Sequence, residues 1–417
     1  MVAAASVAAG LSGLAGCGSG GAPAAVVTRG VAAVEPTADP RPFGAADTAF
    51  GLDVLREWCA QQPGQNLVFS PSTLASALGM AYLGARGATA TAMARVLHLP
   101  PDAGASLAAG LQSRSRALSG LDGHGVTLTA SNQVWADPTL TTRDGYLNSV
   151  ATGYDAGLAQ APFRTDPDKA AAEINGAISA QTRGHITNLV SPGALAQIGW
   201  VLTSALYMDA KWATPFEAGK TEPGTFTPAG AKPVSVSFLH GDGFRYAAAD
   251  GWQAVALPYQ GGKLTMTALL PPAGSAGCAL PSRPALTAVT AALRAGGEPG
   301  DSVLALPKVN LRVGGPTGDM GAVLKRLGMG AAFGQTADFT GLSPQAGGIG
   351  FVKQAATLQV GEQGTVGSAA AAVGVQASAG MVAKHDVTFD RPYLMLVSAA
   401  ATGEPLFLAE VANPAAG

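Results

Sequence analysis

Apolar positions draw the first outline of the chain. Across "FGAADTAFGLDVLREWCAQQ", Phe50, Val54, Leu55 and Trp58 recur at helical spacing, and Pro63-Gly64 stops the run. "NLVFSPSTLASALGMAYLGARGATATAMARVLHLP" predicts a short strand and then a buried helix. Ser70-Pro71 suits its N-terminus, and Leu74, Leu78 and Tyr82 form its apolar stripe. "VTLTASNQVWAD" alternates as a strand does, and "KAAAEINGAISAQTRGHITNLV" is helical. "GWVLTSALYMDAKW" is a continuous apolar run, the pattern of a strand covered on both faces. Strand signals then dominate in "VSVSFLH", "FRYAAA", "WQAVALPYQ", "LTMTALLPP" and "VLALPKVNLRV". "GDMGAVLKRLGMGAAF" is one more helix. In "VTFDRPYLMLVSAAATGEPLFLAEVANP" two closing strands meet at a Thr402-Gly403 turn. Helices come first and strands later, with no βαβ rhythm, so the fold class is α+β.

One stretch fits none of these elements. "GEQGTVGSAAAAVGVQASAGMVAKHD", from Gly361 to Asp386, has no charge, proline or aromatic residue between Glu362 and Lys384. A linker this close to the end of the chain would join nothing. Stepping by two from Thr365 gives Thr365, Gly367, Ala369, Ala371, Val373, Val375 and Ala377, all small or apolar and none charged. The alternate set, Val366, Ser368, Ala370, Ala372, Gly374, Gln376 and Ser378, is small too. The segment can therefore enter a buried sheet without a lost ladder donor or a stranded charge.

Composition narrows the function classes. The 417 residues allow one large or two ordinary domains, and 47% hydrophobic against 12% charged content argues for a folded chain. The net charge is -2 and no Lys/Arg run exists, so nucleic-acid binding has no electrostatic footprint. Three cysteines, Cys17, Cys59 and Cys278, make no disulfide framework, and no Cys/His cluster suggests zinc. "MVAAASVAAGLSGLAGCGSGG" is similar to a bacterial lipoprotein signal ending at Cys17, although residues 1–16 lack Lys and Arg. On that reading, residues 1–17 are a signal peptide and 18–42 a flexible tether. The protein would then be secreted, or anchored at the outer face of the cytoplasmic membrane by lipid on Cys17. The motifs GxSxG, SxxK, HExxH and GxxxxGK[ST] are absent, and the five histidines are scattered. Nothing argues for an enzyme.

Several segments together resemble the serpin family. "NLVFSPSTLASALGMAYLGARGATATAM", "INGAISAQTRGHITNLV", "VLTSALYMDAKWATPF", "LPKVNLRV", "LGMGAAFGQTADFTGLS", "GEQGTVGSAAAA" and "FDRPYLMLVSAAATGEPLFLAEVANP" occur in the family's order, over residues 43–414. The resemblance implies one domain, 43–417, of three β-sheets and eight or nine helices. It also implies an exposed reactive loop at about 362–384. The loop would be protease bait that inserts into the large sheet once cut and traps the acyl-enzyme.

Residue by residue, the resemblance implies a hinge of Glu362, Gly364, Thr365, Val366, Gly367, Ser368, Ala369 and Ala370. Gly367 stands where inhibitors usually carry alanine, and Val366 where glutamate is common. Trp212, Lys308 and Glu362 match the breach at the top of the sheet. Ser70 and Thr73 match the shutter beneath its centre. Ser204 and Gln354 there replace the family's asparagine and histidine; Gln354 could still donate a hydrogen bond to the Ser204 hydroxyl, but the exchange puts that lock in doubt. Counting forward from Gly364 places the scissile bond at Ser378-Ala379. Counting back from Pro392 places it at Met381-Val382. Either bait lacks Arg and Lys, so the expected partner is an elastase-, subtilisin- or chymotrypsin-like serine protease in covalent complex. A monomer without cofactor or metal is expected. The alternative is a non-inhibitory serpin used as a binding or structural scaffold.

Overall fold

The computed structural model describes residues 25–100, 103–195, 198–296, 298–313, 318–365 and 385–416. Eight α-helices lie among them: α1 (Arg41–Gln61), α2 (Pro71–Gly84), α3 (Gly87–Val96), α4 (Ala103–Ser119), α5 (Asp144–Tyr154), α6 (Pro167–Gln181), α7 (Arg283–Arg294) and the short α8 (Gly321–Leu324). Ser70 caps α2 by accepting the Thr73 amide at 3.3 Å, with Pro71 in the first turn. The single helix expected after it is two, α2 and α3. The helix expected over "GDMGAVLKRLGMGAAF" holds α form only through Leu324, and Gly328, at φ 103°, breaks it.

Seven strands form the first sheet, in the order β1 (Val26–Thr28), β4 (Leu158–Gln160), β3 (Val126–Ala136), β5 (Trp200–Lys211), β13 (Gly364–Thr365), β12 (Val352–Val360) and β11 (Val309–Val313). Nine form the second: β14 (His385–Thr388), β10 (Glu298–Pro307), β7 (Val234–Ala249), β8 (Trp252–Pro258), β9 (Leu264–Leu270), β15 (Tyr393–Ala399), β16 (Pro405–Val411) and β2 (Leu67–Phe69), with β6 (Glu222–Phe226) on β7. The three expected sheets are thus two among the described residues. The cause is β7, which joins the two strands expected at "VSVSFLH" and "FRYAAA". It carries β6 and β10 along most of its length and β8 at its end, from Arg245 to Ala249, so two smaller sheets share one ladder. "VLALPKVNLRV" divides instead, leaving the second sheet at Pro307 and entering the first at Val309.

The first sheet is covered on both faces, as the apolar run of β5 requires. On one face Trp135, Phe163, Ile174, Ile178 and Val201 pack together under α6. On the other, α2 lies below, and residues such as Leu206, Met208 and Leu358 join the second sheet's inner face. Arg114 of α4 is buried and ties α4 to α1, α2 and the turn before β16. It donates to Asp47 of α1, to Glu404 at 2.7 Å, to Ser76 at 2.9 Å and to the Ser72 carbonyl at 2.8 Å.

Two sequence expectations change here. The segment read as a tether, 18–42, is docked from residue 25 onward. β1 adds an edge strand to β4, and Val31, Ala33, Glu35 and Ala38 donate their amides to Asn148, Thr152, Gln112 and Ser113. Polar side chains on α4 and α5 thus satisfy the backbone of a segment whose composition suggested a linker. Cys59 and Cys278 also pair, as a disulfide across 219 residues with Cα atoms 5.9 Å apart. Their separation in sequence hid a pairing that the fold makes local.

Beside that disulfide lies Glu410 of β16, only 1% exposed, accepting the Cys278 amide at 3.2 Å. Burial pushes its carboxyl up to about 7, against the pull of the Cys278 amide. Between the unfolded value near 4.5 and about 7, the folded protein therefore holds a proton that the unfolded chain has released. Stability falls as pH rises through that window, by about 3 kcal/mol for a shift of this size. Glu410→Gln keeps the acceptor and removes the titration. Its urea midpoint at pH 8 is expected to exceed the wild type's, with little difference at pH 4.5. Parallel pH profiles of the two proteins would sink this assignment.

Candidate functional site at the split in the first sheet

The site begins as a gap between two strands. β5 and β12 run parallel and pair directly over residues 202–206 and 352–356. Higher up they part, and β13 sits between them, antiparallel to both. Gly364 lies opposite Lys211 and Thr365 opposite Ala210 on β5, while Thr365 faces Val360 on β12. Glycine is required at the wedge, because a Cβ on residue 364 would overlap the Ala210 carbonyl oxygen. The loop expected to be exposed from about 362 is therefore already buried at Thr365, which is 0% exposed.

A cluster at the top of the sheet holds the wedge. Lys308 Nζ lies 2.9 and 3.0 Å from the two Glu362 carboxylate oxygens, and the Thr221 hydroxyl donates to the same group at 3.0 Å. Burial pushes the Glu362 carboxyl up, but the hydrogen bonds from Lys308 and Thr221 outweigh it and hold the carboxyl below its usual range. Trp212 donates its indole N–H to Gly361 O and its backbone N–H to Gln363 O, each at 2.9 Å. Phe216 N–H donates to Glu362 O at 2.8 Å. The structure thus brings Trp212, Lys308 and Glu362 together around the start of the loop. It adds Tyr259, stacked on Trp212 at 4.4 Å, whose hydroxyl meets the Thr365 hydroxyl at 2.5 Å. The sequence reading missed Tyr259 as a site residue. The available signal was a tyrosine closing an apolar strand in "WQAVALPYQ": once buried, its O–H needs a partner.

Lower down, where β5 and β12 still pair, a buried polar network fixes both strands to α2. Gln354 and Ser204 stand opposite each other in the ladder. Gln354 Nε2 lies 2.9 Å from Ser70 O, 3.2 Å from Thr73 Oγ1 and 3.2 Å from Ser204 Oγ, and its Oε1 accepts the Ser70 amide at 3.2 Å. Ser204 Oγ donates to Thr73 Oγ1 at 2.9 Å. All four side chains are buried. Ser204 and Gln354, which depart from the family's pattern, therefore join Ser70 and Thr73 in one network. A carboxamide reaches from β12 to the helix cap with both its oxygen and its nitrogen engaged.

Val366, Gly367, Ser368, Ala369 and Ala370 of the expected hinge lie outside the described residues, as do Ser378, Ala379, Met381, Val382 and Cys17. Among the described residues no group of three or more His, Cys, Asp or Glu could hold a metal, and no helix is long and apolar enough to cross a membrane.

The family model for serpins, serine protease inhibitors, matches residues 45–414. The chain belongs to the serpin family. An uncharacterized serpin-like protein of Thermococcus kodakarensis is 33% identical over 90% of this chain and 87% of its own length. The leukocyte elastase inhibitor of Sus scrofa is 28% identical over 89% of this chain and 99% of its own. Among solved structures, a serpin of the insect Tenebrio molitor, described as highly specific, superposes with a TM-score of 0.72 at 25% identity, covering 89% of this chain and 98% of that one. Homologous serpins include inhibitory and non-inhibitory members. In this serpin the wedge strand, the cluster at its top and the network beneath it all lie along the line between β5 and β12.

Proposed function

We propose that this serpin is an irreversible suicide-substrate inhibitor of elastase-, subtilisin- or chymotrypsin-like serine proteases. The observation that carries the reading is β13: Gly364 and Thr365, near the start of the loop, lie antiparallel between β5 and β12 in the uncut chain. The protease serine attacks the carbonyl of the bait bond, at Ser378-Ala379 by the forward count. The new amino terminus departs and the enzyme stays esterified to the amino-terminal half of the loop. That half continues the strand already begun, with Thr365, Gly367 and Ala369 on the core side and their alternates on the opposite face, and carries the acyl-enzyme away before water can release it. Met381-Val382 is the second bond, and the mass of the released carboxy-terminal peptide decides between them.

A scaffold without trapping is the other reading. It is favoured by Gly367, because a glycine costs more entropy to order in a strand than the alanine usual there. One gel separates the two. Incubation with elastase, subtilisin and chymotrypsin is expected to give an SDS-resistant band of summed mass with at least one of them. Loop cleavage by all three without that band would leave the scaffold reading standing alone.

A further inference from the structure

We propose that Tyr259 is a positioning residue that sets the register of the inserting strand through the hydroxyl of Thr365. The proposal rests on the inhibitory reading above and deepens it.

Tyr259 and Thr365 are both 0% exposed, and their hydroxyls meet at 2.5 Å. Each is the partner the other needs, since a buried hydroxyl without one is costly. Tyr259 cannot drift to find another. Its ring is stacked on Trp212, its backbone N–H is bonded to Leu264 O at 3.0 Å, and it bridges Trp212 across the backbone. Trp212 is itself bonded to Gly361 and Gln363 on the approach to the wedge. The phenol is thus a fixed point in space. Burial keeps it above its ordinary pKa, so it retains its proton.

A fixed point matters because of strand geometry. Side chains alternate faces, so a slip of one residue turns every side chain of the strand to the other face. In this loop, composition does little to prevent a slip: residues on either parity are small, and none is charged. The chain needs a pin, and Thr365 is the one residue of β13 with a side chain to pin. With its hydroxyl on Tyr259, the residues at 367, 369 and 371 follow onto the same face as the strand extends. Insertion then continues a strand whose first step is seated, rather than searching among registers while the acyl bond hydrolyses.

The test uses the full chain. Tyr259→Phe and Thr365→Val each remove one hydroxyl with little change of volume, while Thr365→Ser keeps it. Two readouts are taken: the ratio of cleaved to covalently trapped serpin with the protease that the gel identifies, and hydrogen–deuterium exchange of the Thr365 amide in uncut protein. Loss of one buried hydrogen bond is expected to raise the ratio about tenfold, the equivalent of about 1.4 kcal/mol. Thr365 exchange should rise by a similar factor in Tyr259→Phe and Thr365→Val, with Thr365→Ser near wild type and the double variant no worse than either single one. Wild-type exchange in both hydroxyl-deleted variants overturns the pin. So does accelerated exchange with an unchanged ratio, or failure of Thr365→Ser to rescue. If the wild type traps no protease, the inhibitory reading fails by itself, and the exchange readout still decides whether Tyr259 holds Thr365. If Tyr259→Phe does not fold, the two Thr365 variants carry the test.

Discussion

On the inhibitory reading, Thr365→Arg is expected to turn this serpin from a trap into a substrate. The covalent band should fall below about a tenth of its wild-type yield while the loop is still cut. Thr365 is fully buried between β5 and β12, with its side chain against Tyr259. A guanidinium there would leave water for a site lined by Trp212, Tyr259 and Val360; Glu362 nearby is already bonded to Lys308 and Thr221. An uncompensated buried charge costs several kcal/mol, more than the first step of strand addition can return. The arginine therefore stays out, and residues 364–365 with it. Cleavage needs only an accessible bond, so its rate should hold or rise. Each kcal/mol added to the barrier for insertion shifts the partition about fivefold toward hydrolysis. Thr365→Ser serves as the control, and a wild-type yield of covalent complex from Thr365→Arg would count against insertion as the trapping step.

How much of this was legible in the sequence depends on the range of the interaction concerned. The Ser70-Pro71 cap and the two-faced burial of β5 are written locally, in one hydroxyl and one apolar run, and both stand in the structure. The wedge is not written locally. Gly364 and Thr365 form a strand only because two distant strands offer them edges, and two residues carry no periodicity. The same holds for Val26–Thr28, which suggested a linker until β4 gave it a partner. The Cys59–Cys278 pair joins residues 219 apart, beyond any spacing rule. Gln354 marks a subtler limit. As a substitution for the family's histidine it put that lock in doubt, with a donation to the Ser204 hydroxyl the one contact the sequence suggested; that contact is present, and others join it. Its carboxamide, with two donors and an acceptor on one rotamer, meets the Ser70 amide and carbonyl and the Ser204 hydroxyl. Family likeness supplied the roles, but only the geometry shows which groups touch.

The second large effect concerns stability rather than yield: serpin nicked in its loop, with both fragments retained, should resist heat and urea far better than the uncut chain. The sheet supplies the reason. In the uncut protein β5 and β12 share one ladder, the parallel pairing over residues 202–206 and 352–356. Insertion exchanges that single ladder for two antiparallel ones, with the new strand bonded along both edges, and antiparallel pairing is no weaker per residue. It also places the small residues of the loop's core face under a sheet already roofed by α6 on one side and backed by α2 on the other. At about 1 kcal/mol net for each added hydrogen bond, a strand reaching from 366 toward 378 contributes on the order of 10 kcal/mol. With an unfolding entropy of about 2.1 cal/mol/K per residue, each kcal/mol moves the midpoint of a chain this long by about 1 °C. A rise of about 10 °C or more is therefore expected, with a matching shift in urea. The uncut form must then be held by a barrier, and the buried Gln354–Ser204–Thr73 contacts lie on it, because β5 and β12 cannot part without breaking them. Gln354→Ala would lower that barrier in the uncut chain. A nicked protein that melts where the intact one does would mean that no more stable arrangement is available to the cut chain. The wedge would then be a fixed feature of the fold rather than the beginning of a strand.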